Sequence, residues 1–324
     1  MIYLYGKRFQ QKSGGSNVNK INIGQSDLKA SQISLGIMRM NALSVEEAKT
    51  VIETAISEGI DHFDHADIYG KGASETIFGQ ALKDLGISRD SVVLQTKTGI
   101  VPGIMYDFSK EHIIQSVEES LTRLQTDYVD TLLLHRPDAL VEPEEVAEAF
   151  DELEKSGKVR TFGVSNHNPL QIELLKKFVN QPLIINQLQL SLTHTPMIDA
   201  GLNVNRMEAG SVLHEGQLID YSRINDMTIQ PWSPFQSGNG KKGLFFDHPD
   251  YLELNKVVDE MAKEKGMARE AIAIAWLLRH PAKMQPIVGT MNPDRIKAIT
   301  KATEVSLSRE EWYKLYLSGG KRLP

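Results

Sequence analysis

Tyr128-Val129-Asp130-Thr131-Leu132-Leu133-Leu134 is a short apolar run of strand-like composition. An amphipathic stretch, Pro143–Ser156, follows, and then a second run, Val159-Arg160-Thr161-Phe162-Gly163-Val164. Gly157 stands where the helix needs a left-handed C-cap. A strand–helix–strand unit of this kind implies parallel strands joined by a right-handed crossover. Outward from it the pattern repeats. Strand-like runs precede it at Ile33–Ile37, Ile60–Asp64 and Ser91–Thr96, and follow it at Leu183–Gln187, Met227–Pro231 and Pro286–Val288. Helical stretches separate them at Val45–Glu58, Glu75–Leu85, Glu111–Leu124, Pro169–Phe178, Tyr251–Lys265, Arg269–Arg279 and Pro293–Thr303. Ser44-x-x-Glu47 and Ser308-x-x-Glu311 have capping-box spacing, and Asn168-Pro169 sets an N-cap before a helix-starting proline. Gly59 and Gly86 end their helices as Gly157 does.

Eight such repeats predict a closed (β/α)8 TIM barrel; a doubly wound open sheet is the alternative. Two stretches fall outside the alternation. Residues 1–30 read as a β-hairpin extension turning at Ser13-Gly14-Gly15-Ser16-Asn17. Residues 201–226 read as a long connection carrying a helix, Val212–Ile224. No low-complexity linker divides the chain, so residues 1–324 are expected to form one domain.

The balance of the chain narrows its chemistry. The net charge is −6 with no basic stripe, so nucleic acid is not an expected partner. There is no cysteine, which excludes disulfides, thiolate metal sites and a cysteine nucleophile. Met1–Arg8 lacks a charged-then-apolar signal layout, and the longest apolar stretch, Ala271–Leu278, is too short to span a bilayer. A cytoplasmic enzyme without membrane contact is the expectation.

In a parallel barrel, functional groups gather at the C-terminal ends of the strands. Polar residues crowd there: Asp64-His65-Ala66-Asp67-Ile68-Tyr69-Gly70 after the second run, Gln95-Thr96-Lys97-Thr98 at the third, and His135-Arg136-Pro137 after the fourth. Ser165-Asn166 follow the fifth, Asn186-Gln187 end the sixth, and Trp232-Ser233 follow the seventh. Each has a bland reading as a solvated charge, a structural histidine or a packing aromatic. An aspartate, a tyrosine, a lysine and a histidine converging from three neighbouring strands point instead to catalysis.

Asp-x-Ala-x-x-Tyr-Gly, Lys-x-Gly, the histidine after strand four and Ser-Asn after strand five, in this order, resemble the aldo-keto reductase family over residues 33 to 303. Asp64–Gly70 with His135-Arg136-Pro137-Asp138 further resembles its bacterial YdhF-like oxidoreductase branch. The resemblance implies NADP(H)-dependent reduction of small carbonyl compounds. Tyr69 would be the general acid, Lys97 would lower its pKa, Asp64 would hold Lys97, and His135 would orient the substrate oxygen or share the proton transfer. Ser165, Asn166 and Gln187 would bind the nicotinamide carboxamide, and Trp232 would stack on its ring. Ser233, Pro234, Phe235, Gln236 and Gly238 would close over the pyrophosphate. Thr290 and Arg295 would take the 2′-phosphate of NADP, with N–H groups of the helix starting near Pro293. The chain departs from the family at Gly289, where many members carry lysine, at Ala298 and Ile299, and near Met38-Arg39, where a tryptophan is common. The short connection Arg136–Pro143 and the small tail Ser318–Pro324 imply an open pocket for small aldehydes or ketones.

Three other readings compete with this one. Gly238-Asn239-Gly240-Lys241-Lys242-Gly243 fits the G-x-G-x-x-G pattern but lies beyond its strand with no helix at the third glycine, and reads as a flexible loop or lid. Asp61-His62-Phe63-Asp64-His65-Ala66-Asp67 invites a metallohydrolase, yet no complementary ligand cluster accompanies it, and no metal is expected. A non-catalytic, cofactor-binding channel subunit is the other alternative.

Overall fold

A computed structural model of the chain describes residues 18–204, 217–238, 241–321 and 323. The chain opens with an antiparallel hairpin of β1 (Lys20–Asn22) and β2 (Lys29–Ser31). The barrel strands are β3 (Ser34–Gly36), β4 (His62–Asp64), β5 (Val93–Thr98), β8 (Val129–Leu134), β9 (Val159–Ser165), β10 (Leu183–Gln189), β11 (Thr228–Trp232) and β12 (Ile287–Val288). All eight are parallel, in the order β11-β10-β9-β8-β5-β4-β3-β12. The two ends of that order meet where the Gln285 N–H donates to the Ile229 carbonyl at 3.0 Å. The (β/α)8 barrel expected from the alternation is therefore the fold, and the open sheet is not.

The helices are α1 (Val45–Ser57), α2 (Ala73–Asp84), α3 (Lys110–Leu124), α4 (Pro143–Lys155), α5 (Pro169–Lys176), α6 (Pro196–Leu202), α7 (Leu218–Ile224), α8 (Leu252–Lys265), α9 (Arg269–Leu278), α10 (Pro293–Thr300) and α11 (Arg309–Ser318). Ser44, Asn168 and Ser308 form full capping boxes at the starts of α1, α5 and α11. Outward-facing strand residues meet the helices; Phe150 of α4 stacks on Phe162 of β9 with ring centroids 4.1 Å apart. Every residue of β5 and β8 is buried, as a strand with core on both faces demands.

Three details depart from the sequence reading. The turn foreseen at Ser13–Asn17 lies outside the described residues. The described hairpin turns through Ile23–Leu28, closed by the Ile23 N–H donating to the Leu28 carbonyl at 2.9 Å. Neither α6 nor the small hairpin β6 (Ile100–Val101) and β7 (Met105–Tyr106) was foreseen. The first half of the helix expected at Val212–Ile224 lies outside the described residues, and α7 begins at Leu218. The β1–β2 hairpin packs Ile23 and Ala30 with Val93, Leu133, Ile184 and Ile185, an apolar cluster separate from the main core. The hairpin is fastened to the barrel by the Gly24 N–H, which donates to Thr228 Oγ1 at 2.7 Å.

Candidate active site

Alternation along β5 sends Gln95 and Lys97 to the barrel interior, while Thr96 turns outward to donate to Glu75 of α2 at 2.7 Å. Lys97 is fully buried, and its ammonium has a partner for each of its three protons. It donates to Asp64 Oδ2 at 2.9 Å, to the His65 carbonyl at 2.6 Å and to the Tyr69 hydroxyl at 3.1 Å. A buried ammonium without partners would shed its proton. Here burial works in that direction, but Asp64 and Tyr69 outweigh it and hold the Lys97 pKa above its ordinary value.

Tyr69 reaches this ammonium from a turn of unusual backbone. Gly70, Lys71 and Gly72 all lie in the left-handed region, at φ 59°, 56° and 88°. A Cβ on Gly70 would sit 2.5 Å from Asn41 Cβ, so the turn needs glycine there for room as well as for φ. Beneath the turn, the buried Glu75 carboxylate accepts from Arg123 Nε at 2.8 Å. The sequence reading expected Lys97 to lower the Tyr69 pKa. The net direction is upward: burial raises it, Lys97 opposes, and Asp64 adds to the rise. The phenol is thus held in its protonated form near neutrality.

His135 stands at the end of β8, its ring edge-on to Tyr69 with centroids 6.1 Å apart. Burial, then the charges of Lys97 and Arg136, push its pKa well below the usual imidazole range. It is therefore a neutral imidazole, a hydrogen-bonding group and not a stored acid. Asp67, to which the sequence reading gave no catalytic role, lies beside this group. Burial, then the nearby Glu75 carboxylate, raises its pKa to about 7, and its Oδ1 has no partner among the described residues.

The sequence reading named Gln187 as a cofactor ligand and Gln95 as a strand-end residue, but the array they form with Gln230 and Gln285 escaped it. Gln95 Nε2 donates to Asp64 Oδ1 at 2.7 Å and to Gln230 Oε1 at 2.8 Å. Gln187 Nε2 donates to the same two oxygens at 2.9 and 3.0 Å. Gln230 Nε2 continues to Gln285 Oε1 at 2.8 Å, and Gln285 Nε2 donates to the Ser31 carbonyl at 2.6 Å. All four side chains are buried, and together they run from the Asp64 carboxylate to the hairpin at the opposite end of the barrel. A polar residue in a strand reads as solvent-facing; inside a barrel it can face its own kind, and nothing in one strand's sequence reveals that.

The residues expected around a cofactor fall into three groups. Ser165, Asn166, Gln187 and Trp232 are mutually tied. Ser165 Oγ donates to the Gln187 carbonyl at 2.9 Å, and Asn166 Nδ2 donates to Ser165 Oγ at 2.8 Å and to the His135 carbonyl at 3.3 Å. Trp232 Nε1 donates to Asn166 Oδ1 at 3.2 Å. In the loop after β11, Ser233 has φ 53° and Pro234 is buried. Phe235 packs on Phe246 at 5.6 Å. The Gln236 carbonyl accepts from Ser191 and Thr193 hydroxyls, and a Cβ on Gly238 would lie 2.0 Å from the Thr193 carbonyl oxygen. These contacts clamp the loop to the segment after β10. Ser237 Oγ is buried there with no partner among the described residues.

After β12, Thr290 Oγ1 accepts from the Asn292 N–H at 3.2 Å, and Asn292 caps α10 by accepting from the Asp294 and Arg295 N–H groups. The expectation that these N–H groups stand free for an anion is corrected to that extent. Arg295 Nε lies 3.6 Å from Glu270. Arg39, noted in the sequence only as a departure, donates to the Gly289 carbonyl at 2.9 Å. Its guanidinium fills the space that a side chain on residue 289 would need.

The metal-like run of residues 61–67 disperses. Asp61 pairs with Lys20 at 2.6 Å, His62 Nδ1 faces Ser34 Oγ at 2.7 Å, and His65 packs edge-on to Phe78 at 4.5 Å. Among the described residues no group of three or more His, Asp or Glu could hold a metal ion. The glycine pattern also lacks a helix at its third position. Gly243 accepts from the Ser237 N–H at 3.0 Å, and the next helix, α8, begins at Leu252. Asn239 and Gly240 lie outside the described residues. No described helix is long and apolar enough to cross a membrane.

Comparison with known proteins agrees with this arrangement. The sequence pattern of the Aldo/keto reductase family matches residues 32–316. The chain is 35% identical over 311 residues to a 6-dehydroglucose reductase of Agrobacterium fabrum, covering 91% of this chain and 97% of that one. It is 32% identical over 309 residues to the oxidoreductase YdhF of Escherichia coli, covering 92% and 96%. The solved thermostable aldo-keto reductase Tm1743 superposes with a TM-score of 0.72 at 24% identity, covering 93% of this chain and 99% of that one. With its eight-stranded parallel barrel and Asp64, Tyr69, Lys97 and His135 gathered at one end, the chain belongs to the Aldo/keto reductase family of oxidoreductases.

Proposed function

We propose that the chain reduces aldehydes or ketones to alcohols with NADPH, and that Tyr69 delivers the proton. The observation that carries this reading is the buried Lys97 ammonium, shared between the Asp64 carboxylate and the Tyr69 hydroxyl 3.1 Å away. NADPH, when bound, supplies the hydride. The protein's part is to receive the charge that develops on the carbonyl oxygen. Tyr69 carries a proton at neutral pH, because its pKa is raised. Lys97 stabilises the phenolate left behind, Asp64 keeps Lys97 charged, and neutral His135 fixes the carbonyl oxygen by hydrogen bond. A relative named for reducing 6-dehydroglucose supports a carbonyl substrate.

Ser165, Asn166 and Gln187 would hold the carboxamide, Trp232 the ring, and residues 233–238 the pyrophosphate. The Ser237 hydroxyl, without a partner among the described residues, fits such an anion. Thr290, with Arg295 and the neighbouring Arg39, would hold the 2′-phosphate. A charge-assisted hydrogen bond is worth about 1.5–3 kcal/mol, or roughly one to two decades in Kd. Arg295→Ala should weaken NADPH binding by about that factor and NADH binding little; equal loss for both would assign Arg295 to the shared adenosine part. Turnover itself is tested with aldehydes, ketones and dicarbonyls, scored by NADPH consumption. The expected result is oxidation of NADPH with at least one aldehyde. Cofactor binding without turnover across the panel would contradict the proposal.

A further inference from the structure

His135 is followed by a cation that no described residue neutralises. Arg136 is partly buried and makes no hydrogen bond or ion pair with any described residue; its guanidinium lies 5.8 Å from the centre of the Trp232 ring. It lines a cavity of about 450 Å3 that opens across the ends of β8, β9, β10 and β11. The cavity does not reach Tyr69 or Lys97; it begins one residue beyond His135 and is bounded by Asn166 and Trp232. Its wall adds Asn168, Gln171, Gln189 and His194, and no described lining residue is acidic. His194 is held neutral, its pKa lowered by burial and then by Lys321. Asp199, whose charge acts on His194, is already engaged by Lys321 at 3.0 Å and by the Tyr316 hydroxyl at 2.7 Å.

The closed strand order says which ligand this cavity serves. Arg136 follows β8 and Thr290 follows β12, and these strands lie four apart in either direction around the ring of eight. A cofactor with its phosphates after β11 and β12 and its carboxamide at Asn166 borders this cavity at Asn166 and Trp232 and leaves the Arg136 wall, after β8, to the substrate. A volume of this size suits a small organic ligand. A half-buried guanidinium among amides, with no acidic residue in the described lining, matches the planar two-oxygen face of a carboxylate.

We propose that this cavity receives a carboxylate at the far end of the carbonyl substrate, with Arg136 as its counter-charge, so that the chain prefers oxo acids to neutral aldehydes. This rests on the reductase reading given above. The test compares succinic semialdehyde with butanal, which share a four-carbon chain and differ in the terminal charge. In the wild type kcat/KM should favour the semialdehyde. In Arg136→Gln the ratio of the two kcat/KM values should fall about ten- to hundred-fold, the worth of a charge-assisted hydrogen bond, mostly through KM. Arg136→Lys, which keeps the charge and loses the fork, should recover part of the ratio. Thermal melts of each variant check that the fold persists.

Calorimetric titration with succinate gives a readout independent of turnover: heat of binding for the wild type, lost in Arg136→Gln. Succinate binding through Arg136 in a chain that reduces neither aldehyde would refute the reductase reading and leave the anion site standing. An unchanged ratio in Arg136→Gln, or a wild type that neither prefers the semialdehyde nor binds succinate, overturns the site.

Discussion

Lys97 concentrates the electrostatic argument at the scale of single residues. Its charge is the main influence opposing the upward pull of burial on Tyr69. Reduction needs the protonated phenol, so activity should persist into alkaline pH and fall only above the Tyr69 pKa. Lys97→Met removes the one lowering charge at similar volume; the alkaline limb of the pH–rate profile should move further up or vanish, with kcat reduced. An unmoved limb would make Lys97 and Asp64 a structural ion pair only. Asp67 offers a second titration. Its folded pKa of about 7 exceeds the unfolded value of about 3.9, so between these values the folded chain keeps a proton that the unfolded chain has released. That contribution to stability is present below about pH 4 and is lost as the pH rises to about 7. Asp67→Asn carries no such charge, so its Tm relative to wild type should improve between about pH 5 and about pH 8. Parallel Tm curves for the two proteins would show that Asp67 is not held protonated.

At the scale of elements, the turn between β4 and α2 aims the Tyr69 hydroxyl at Lys97. Gly70→Ala combines a positive φ with a Cβ 2.5 Å from Asn41, and backbone strain of this kind costs about 1–3 kcal/mol. The variant should melt earlier and lose kcat while its cofactor Kd stays near the wild-type value. An unchanged kcat would mean that Tyr69 is positioned by Lys97 alone. This element also shows how far the sequence could be read. The Asp64-x-Ala66-x-x-Tyr69-Gly70 spacing was visible, and so were the eight apolar runs, because glycines and capping residues punctuate them. The left-handed Lys71 was not, since lysine carries no signal for that conformation. The turn through Ile23-Gly24-Gln25-Ser26 was not foreseen because Ser13-Gly14-Gly15-Ser16-Asn17 carries the stronger turn signal. Gly24 is set by a tertiary contact: a Cβ there would lie 2.5 Å from the Ile184 carbonyl oxygen.

At the scale of the molecule, barrel closure brings distant residues together. Asp64, Lys97 and His135 sit on or just after β4, β5 and β8, three neighbouring strands, and Tyr69 follows the first of them. That convergence was legible once eight repeats had been counted. The Gln95–Gln187–Gln230–Gln285 array was not, because it exists only when strands separated by up to 190 residues of chain close into one interior. The whole arrangement has one purpose in this account: to place a protonated Tyr69 hydroxyl where an alkoxide forms. The most direct measurement is single-turnover and steady-state reduction by Tyr69→Phe, with NADPH affinity measured on the same protein. The substitution removes one oxygen and leaves the ring. General acid catalysis is worth at least about two orders of magnitude, so kcat should fall by that much or more while NADPH binds as in the wild type. Retention of most of the wild-type turnover would contradict the account.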